Sequence, residues 1–127
     1  MMKILVVDDE RDVCDFVSNF FGLRGFQVFC ALNGEDALQI SKTQDPLIVL
    51  QDIRMPGIDG VETLRRMKEA RPNNRVIMVT CVEDIERVED AKKYGADGYI
   101  TKPLVLNDLV KAVNDAVTKL KPNVTKE

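Results

Sequence analysis

A doubly wound α/β fold, in which a five-stranded parallel sheet carries helices on both faces, is predicted for this chain by three observations. Strand-like and helix-like hydrophobic periods alternate strictly, giving five strand–helix units in 127 residues. The strand segments are continuously apolar rather than alternating, which is the pattern of strands buried on both faces. Glycine, proline and asparagine fall between the units, where turns are required. The length suits one compact domain and is too short for two ordinary ones.

The elements follow in order. Lys3 to Val7 is a short apolar run with β-branched residues that stops at Asp8 and Asp9. Val13, Phe16, Val17, Phe20 and Phe21 are spaced as one face of a helix, with Gly25 just past its end. Phe26 to Ala31 reads as the second strand. Asn33-Gly34 then opens a helix carrying Ala37, Leu38 and Ser41. Pro46 introduces the third strand, Leu47 to Gln51, and a turn with Pro56, Gly57 and Gly60 leads to a helix with Val61, Leu64 and Met67 on one side. Val76 to Val79 is the fourth strand, and Ile85, Val88 and Ala91 mark the fourth helix. Gly98 to Thr101 is the fifth strand, and Leu106, Leu109, Val110, Val113 and Val117 make the last helix. Residues 1–121 form the expected domain, and 122–127 read as a tail or the start of a linker.

Composition narrows the function. A hydrophobic fraction of 45% and a charged fraction of 31% are those of a globular protein with a well-solvated surface. A net charge of −3 gives no basis for binding nucleic acid directly. No apolar run is long enough to cross a bilayer and no leader precedes the first strand, so membrane association is not expected. Three cysteines, Cys14, Cys30 and Cys81, are odd in number and lack metal-ligand spacing. They read as reduced thiols of a cytoplasmic protein. With no histidine, any phosphoryl chemistry must use carboxylates.

In an open parallel sheet, ligands bind beyond the carboxyl ends of the strands. The first strand ends in Asp8-Asp9-Glu10, the third in Asp52, the fourth in Thr80 and the fifth in Lys102-Pro103. Right-handed crossovers bring these groups to one sheet edge. Unit charges about 4 Å apart repel by roughly 4 kcal/mol at an effective dielectric of 20, so three clustered carboxylates call for a counter-charge. Oxygen ligands suit magnesium, which binds through one or two carboxylates plus waters and phosphate oxygens. Asp8, Asp9 and Asp52 contribute −3 and Lys102 +1, so a divalent ion brings the pocket to zero. A carboxylate beside a metal is a nucleophile toward phosphorus. Transfer there depends on positioning and on stabilising the phosphoryl oxygens. Asp52 is therefore the expected phosphoryl acceptor, with Lys102 neutralising charge and the Thr80 hydroxyl bonding a phosphate oxygen.

In this respect the chain resembles the receiver domains of bacterial two-component response regulators, from Ile4 through the last helix. The resemblance is carried by Leu5-Val6-Val7-Asp8-Asp9-Glu10, Asp52-Ile53-Arg54-Met55-Pro56-Gly57-Ile58-Asp59-Gly60, Val79-Thr80, and Gly95-Ala96-Asp97-Gly98-Tyr99-Ile100-Thr101-Lys102-Pro103. It implies the flavodoxin-like receiver fold with strand order 2-1-3-4-5. It implies that a sensor histidine kinase or a histidine phosphotransfer protein donates the phosphoryl group to Asp52. It implies direct magnesium ligation by Asp9, Asp52 and the backbone carbonyl of Arg54, with Asp8 acting mainly through water. Thr80 then moves toward the phosphate and Tyr99 turns inward. That reshapes the face of helix four, strand five and helix five, where a downstream effector or a second copy would dock. The Lys102–Pro103 bond resembles the family's cis peptide, which costs only about 0.5–1 kcal/mol for X–Pro. The protein implied is a phosphoacceptor switch that helps catalyse its own phosphorylation and hydrolysis, not an enzyme with an external product.

Other functions fit less well. An aspartate-nucleophile phosphatase would carry a second acid two residues after the nucleophile, where this chain has Arg54. A flavin-binding relative would need a Ser/Thr/Gly-rich loop after the first strand, and Asp8-Asp9-Glu10 would repel its phosphate. A receiver-like module that binds without phosphorylation would not require the full set of acids, threonine and lysine. An Asp pair after a strand is, taken alone, a helix cap with a first-turn acid. Asp52, Thr80 and Lys102 reverse that reading. Met55, Met67, Met78 and Cys81 read as packing residues, and Glu83 to Lys93 as a solvated helix face.

Three positions depart from the family pattern. Leu47 replaces a customary acid, Gly98 stands where many DNA-binding regulators carry a second acid, and Gln51 is polar where an aliphatic residue is usual. A buried Gln51 would need a partner, since an unmet amide costs about 1–3 kcal/mol. Arg54 and Val82, each two residues beyond a site residue, are expected to restrict the hydrolytic water and lengthen the phosphoform's life. The chain ends soon after the last helix, which fits either a stand-alone regulator or a piece of a longer one. Leu104 to Leu106 and the acidic fourth helix are the expected partner surface.

Overall fold

The computed structural model describes residues 2–120. The expected tail, 122–127, and residue 121 lie outside them, as do the side chains of Val82, Ile85 and Leu120. The strands are β1 (Lys3–Val7), β2 (Gln27–Ala31), β3 (Ile48–Asp52), β4 (Arg75–Thr80) and β5 (Gly98–Thr101). The helices are α1 (Arg11–Gly22), α2 (Gly34–Gln44), α3 (Gly60–Ala70), α4 (Ile85–Lys93) and α5 (Leu106–Leu120). One sheet of five parallel strands runs in the order β2-β1-β3-β4-β5. A short 3-10 turn, Val82–Asp84, lies between β4 and α4, where the sequence showed no element of its own.

The sheet divides the core into two layers by strand alternation. Ile4, Val6, Ile48, Leu50 and Ile77 face Cys14, Val17 and Phe21 of α1 and Leu109, Val113 and Ala116 of α5. Leu5, Val7, Val49, Val76 and Met78 face Ala37 of α2, Val61, Leu64 and Met67 of α3 and Ala91 of α4. Fully burying such side chains contributes about 1.5–3 kcal/mol each, which explains why every β3 residue is buried although the strand ends in Gln51 and Asp52.

Two side chains assigned to helix faces differ from expectation. Phe16 is 41% exposed, because the buried stripe of α1 runs Cys14, Val17, Phe21 and residue 16 falls off it at 3.6 residues per turn. Leu106 is 38% exposed at the first position of α5, with Leu109 carrying that helix into the core. Phe26 precedes β2 rather than opening it, packing edge-on against Phe21. The three cysteines are free thiols; Cys14 Sγ donates to the Asp8 carbonyl at 4.0 Å, and Cys30 Sγ lies 3.5 Å from Ser18 Oγ.

Two helix starts are capped as their sequences require. The Asn33 side chain accepts from Asp36 N–H at 2.8 Å, and the Asp59 side chain accepts from Glu62 N–H at 2.9 Å. The second cap sets α3 directly against the end of β3. A Cβ on Gly60 would overlap the Asp52 carbonyl and stand 2.7 Å from Ile53 Cα, so only glycine lets the helix begin there.

Candidate functional site

The parallel register places the polar strand ends together. Val7 pairs with Gln51, Asp52 with Val79, and Thr80 with Thr101. Asp8 follows β1, held by Asp8 N–H donating to Ala31 at 3.1 Å and by its carboxylate accepting from Glu10 N–H at 2.9 Å. Asp52 closes β3 and is buried there. Lys102 N–H donates to the Thr80 carbonyl at 2.7 Å, and the Lys102–Pro103 peptide is cis.

From there the Lys102 ammonium reaches into the acids. Its Nζ lies 3.2 Å from Asp8 Oδ2, 3.3 Å from Asp52 Oδ2 and 3.5 Å from Glu10 Oε1. Asp8, Asp9 and Asp52 each offer a carboxylate oxygen, and these lie within 4.8 Å of one another. Asp8 and Asp52 are almost fully buried, whereas Asp9 is exposed. All four strand ends singled out in the sequence therefore meet at one edge.

The electrostatics of this edge are unbalanced. Burial, followed by the charge of Asp8, pushes the Asp52 carboxyl up to about 6, against the opposing pull of Lys102 and the Arg54 N–H. Burial also raises Asp8, partly offset by the Glu10 N–H and Lys102. Burial acts to lower Lys102, but Asp52 and Asp8 outweigh it and raise its pKa. One lysine among buried acids is not enough counter-charge, and the oxygen-only donor set fits a hard divalent cation.

Thr80 is buried at the end of β4, beside the acids. Tyr99 on β5 is 36% exposed, and burial first, then Glu89 and Asp97, raise its phenol. It lines a groove of about 600 Å³ with Ile77, Ala112 and Lys111. A second cavity of about 600 Å³ borders the acids from the α1 side, where Phe16, Val13, Pro103 and Leu104 join Glu10 and Lys102. Leu104 is half-buried and Val105 and Leu106 are exposed, in keeping with a surface read from the sequence.

Sequence reasoning missed two residues. Glu10 is a third carboxylate contact of Lys102, and its place beside Asp8-Asp9 was the available signal. Asp84, counted on a solvated helix face, is instead 4% exposed. Its carboxylate accepts from Arg54 Nε at 2.8 Å and from Cys81 N–H at 3.2 Å. An aspartate three residues after a strand-end cysteine, able to cap the turn it closes, was the signal for it. Arg54, expected to stand over the acceptor as bulk, has its guanidinium engaged by Asp84.

A family model described as "Response regulator receiver domain" matches residues 4–114. The chain belongs to that family. This receiver is 37% identical over 120 residues to "Sporulation initiation phosphotransferase F" of Bacillus subtilis (strain 168), covering 94% of each chain. It is 39% identical over 107 residues to "Regulatory protein AtoC" of Escherichia coli (strain K12), covering 84% of this chain but only 23% of that protein. Among solved structures, a CheY-like response regulator receiver domain protein from Methanospirillum hungatei JF-1 superposes with a TM-score of 0.92 at 27% identity, covering 97% of this chain and 98% of that one. The strand order expected from the resemblance is the one observed.

Proposed function

We propose that this receiver is a phosphorylation-activated switch in which Asp52 takes a phosphoryl group from the phosphohistidine of a sensor histidine kinase or a histidine phosphotransfer protein. The observation that carries the reading is the Lys102 ammonium held 3.2 and 3.3 Å from two buried carboxylates, with Asp9 completing a three-acid cluster. A carboxylate oxygen of Asp52 attacks phosphorus as the P–N bond of the donor breaks. The departing imidazole nitrogen keeps the bond's electron pair. Lys102 stays beside Asp52 and neutralises charge on the phosphoryl oxygens, and the Thr80 hydroxyl donates to one of them. The nucleophile is the ionised Asp52 carboxylate.

Magnesium is the cofactor this donor set fits. Asp8, Asp9, Asp52 and the backbone carbonyl of Arg54 would hold it, and it would supply the positive charge that the pocket lacks. The phosphoryl group adds about −1.5 to −2 charge and three acceptors beside Thr80. Thr80 is drawn toward it, and Tyr99 turns inward from its half-exposed position. That alters the α4–β5–α5 face offered to an effector or to a second copy. The chain acts as a switch that assists its own phosphorylation and hydrolysis rather than an enzyme with an external product. Among the described residues no helix is long and apolar enough to cross a membrane, and with three free thiols we assign a cytoplasmic location.

The test is intact mass after incubation with magnesium and a small acyl-phosphate donor. The wild type should gain one labile phosphoryl group, and Asp52→Asn and a chelated sample should gain none. A folded wild type that gains none from this donor or from a phosphohistidine protein, or an Asp52→Asn protein that gains as much, would overturn the reading.

A further inference from the structure

Among the described residues three aspartates are buried: Asp8, Asp52 and Asp84. The first two make the acid pocket, and the third has no part in the chemistry above. Its side chain is 5% exposed and has two partners, Arg54 Nε on Oδ1 and Cys81 N–H on Oδ2. Arg54 is placed very differently. Its side chain is 64% exposed, and it stands two residues past Asp52 in the chain. Arg54 thus ties the loop that leaves Asp52 to the turn that follows Thr80.

We propose that Asp84 is a positioning residue for the reaction at Asp52, holding the Arg54 guanidinium aside until a phosphoryl group on Asp52 competes for it. This rests on the phosphoacceptor reading above. The competition favours the phosphoryl group, which offers more charge and more acceptor oxygens than one carboxylate, in a geometry the planar guanidinium can meet with two bonds. Arg54 is already mostly in solvent, so swinging away sacrifices little packing.

The consequence falls on Asp84. Left with one backbone donor, a buried carboxylate is strongly destabilised and must regain solvent or a new partner. It sits at the end of the Val82–Asp84 turn and at the cap of α4, so its exposure opens the segment directly after Thr80. The same exchange of partners that frees Asp84 brings a cation to the phosphoryl group. Acceptor chemistry and the position of the β4–α4 turn are thereby coupled, and the coupling is reciprocal. A neutral side chain at residue 84 breaks it in a specific way. Asparagine keeps an acceptor for Cys81 N–H but needs no counter-charge, so the turn stays closed whether or not Arg54 leaves.

The experiment follows amide hydrogen exchange at Cys81 and across the turn in the magnesium-loaded protein, with and without beryllofluoride as a phosphoryl mimic. Wild-type exchange at Cys81 should rise about tenfold or more when the mimic binds. Arg54→Ala should exchange at the fast rate already and gain little from the mimic, and Arg54→Lys should restore slow exchange in its absence. Asp84→Asn should stay slow in both states. It should also take up phosphoryl several-fold faster than the wild type, because its arginine is free, whereas Arg54→Ala should not. Equal exchange responses in wild type, Arg54→Ala and Asp84→Asn, or equal uptake rates in the two variants, would overturn the proposal while leaving phosphorylation of Asp52 intact. A wild type that gains no phosphoryl group by mass would remove the functional reading itself, and this inference with it.

Discussion

The two ends of the sheet handle buried charge in opposite ways. At the amino end, Asp97 accepts from Lys68 Nζ at 2.9 Å, from an Arg75 guanidinium nitrogen at 3.3 Å and from Val76 N–H at 2.8 Å. One acid meets two bases and a backbone donor. At the carboxyl end, the buried Asp8 and Asp52 share one lysine with Glu10, and the exposed Asp9 adds a further carboxylate. Both clusters are built on the same sheet, so the difference is not imposed by the fold. A chain able to satisfy Asp97 this well could have satisfied Asp52 likewise. The carboxyl end is left short of positive charge, as the cation and phosphoryl site proposed above requires.

Removing the acid at the amino end should have the largest effect on stability. Asp97→Ala leaves Lys68, Arg75 and Val76 N–H short of their shared acceptor, and all three groups are mostly buried. Lys68 keeps the Asn74 carbonyl at 2.6 Å, which limits the damage. A loss of about 3 kcal/mol is expected from denaturant unfolding. A loss near zero would mean that the two ends are not energetically distinct.

Removing an acid at the carboxyl end should do the reverse. The Asp52 carboxyl is raised from the ordinary 3.8 to about 6, so its favourable contribution is present below about pH 4 and is lost as pH rises through about 6. Two units at about 1.4 kcal/mol each set a ceiling near 3 kcal/mol. With Lys102 still pairing with Asp8, Asp52→Asn should gain about 2 kcal/mol at pH 7 without metal. The gain should shrink toward zero at pH 4. A pH-independent difference between the two proteins would show that the carboxylate is not strained by its surroundings.

Magnesium should relieve the same strain. At ten times its dissociation constant it should stabilise the wild type by about 1.4 kcal/mol, read as a rise in unfolding midpoint. Asp52→Asn or Asp8→Asn should lose most of that rise, and Asp97→Ala should keep it. A rise retained when Asp52 or Asp8 is neutralised would locate the cation elsewhere.

How much of this was legible in the sequence follows from how local each signal is. The strands could be read because Ile4-Leu5-Val6-Val7 and Val76-Ile77-Met78-Val79 are apolar on both faces, and the convergence of Asp8, Asp52, Thr80 and Lys102 follows from parallel topology once those strands are placed. The order β2-β1-β3-β4-β5 came from resemblance, since nothing in the periodicity fixes which strands are neighbours. What escaped was contact at a distance. The Arg54–Asp84 pair joins residues 30 apart; Asp84 read as part of a solvated helix face and Arg54 as bulk beside the acceptor, and nothing local pairs them. Phe16 misled in the other direction, because an aromatic one residue off a helical stripe is indistinguishable from core by composition alone.

Gln51 provides the smallest and most local test of the comparison. It is fully buried beside the proposed acceptor, and its Nε2 donates to the Asp52 carbonyl at 3.0 Å while Oε1 has no partner among the described residues. The sequence flagged this amide as costly if buried, and one half of it is indeed unmet. Leucine is close in volume and leaves no buried acceptor stranded, although it gives up the bond to the Asp52 carbonyl. The two effects nearly cancel, and Gln51→Leu should raise stability by about 0.5–1 kcal/mol. Its influence on phosphoryl uptake decides what the amide is for. Unchanged uptake would make Gln51 a local packing compromise. Slower uptake in a more stable protein would mean that its bond to Asp52 holds the acceptor in place, extending the strained carboxyl end one residue into the core.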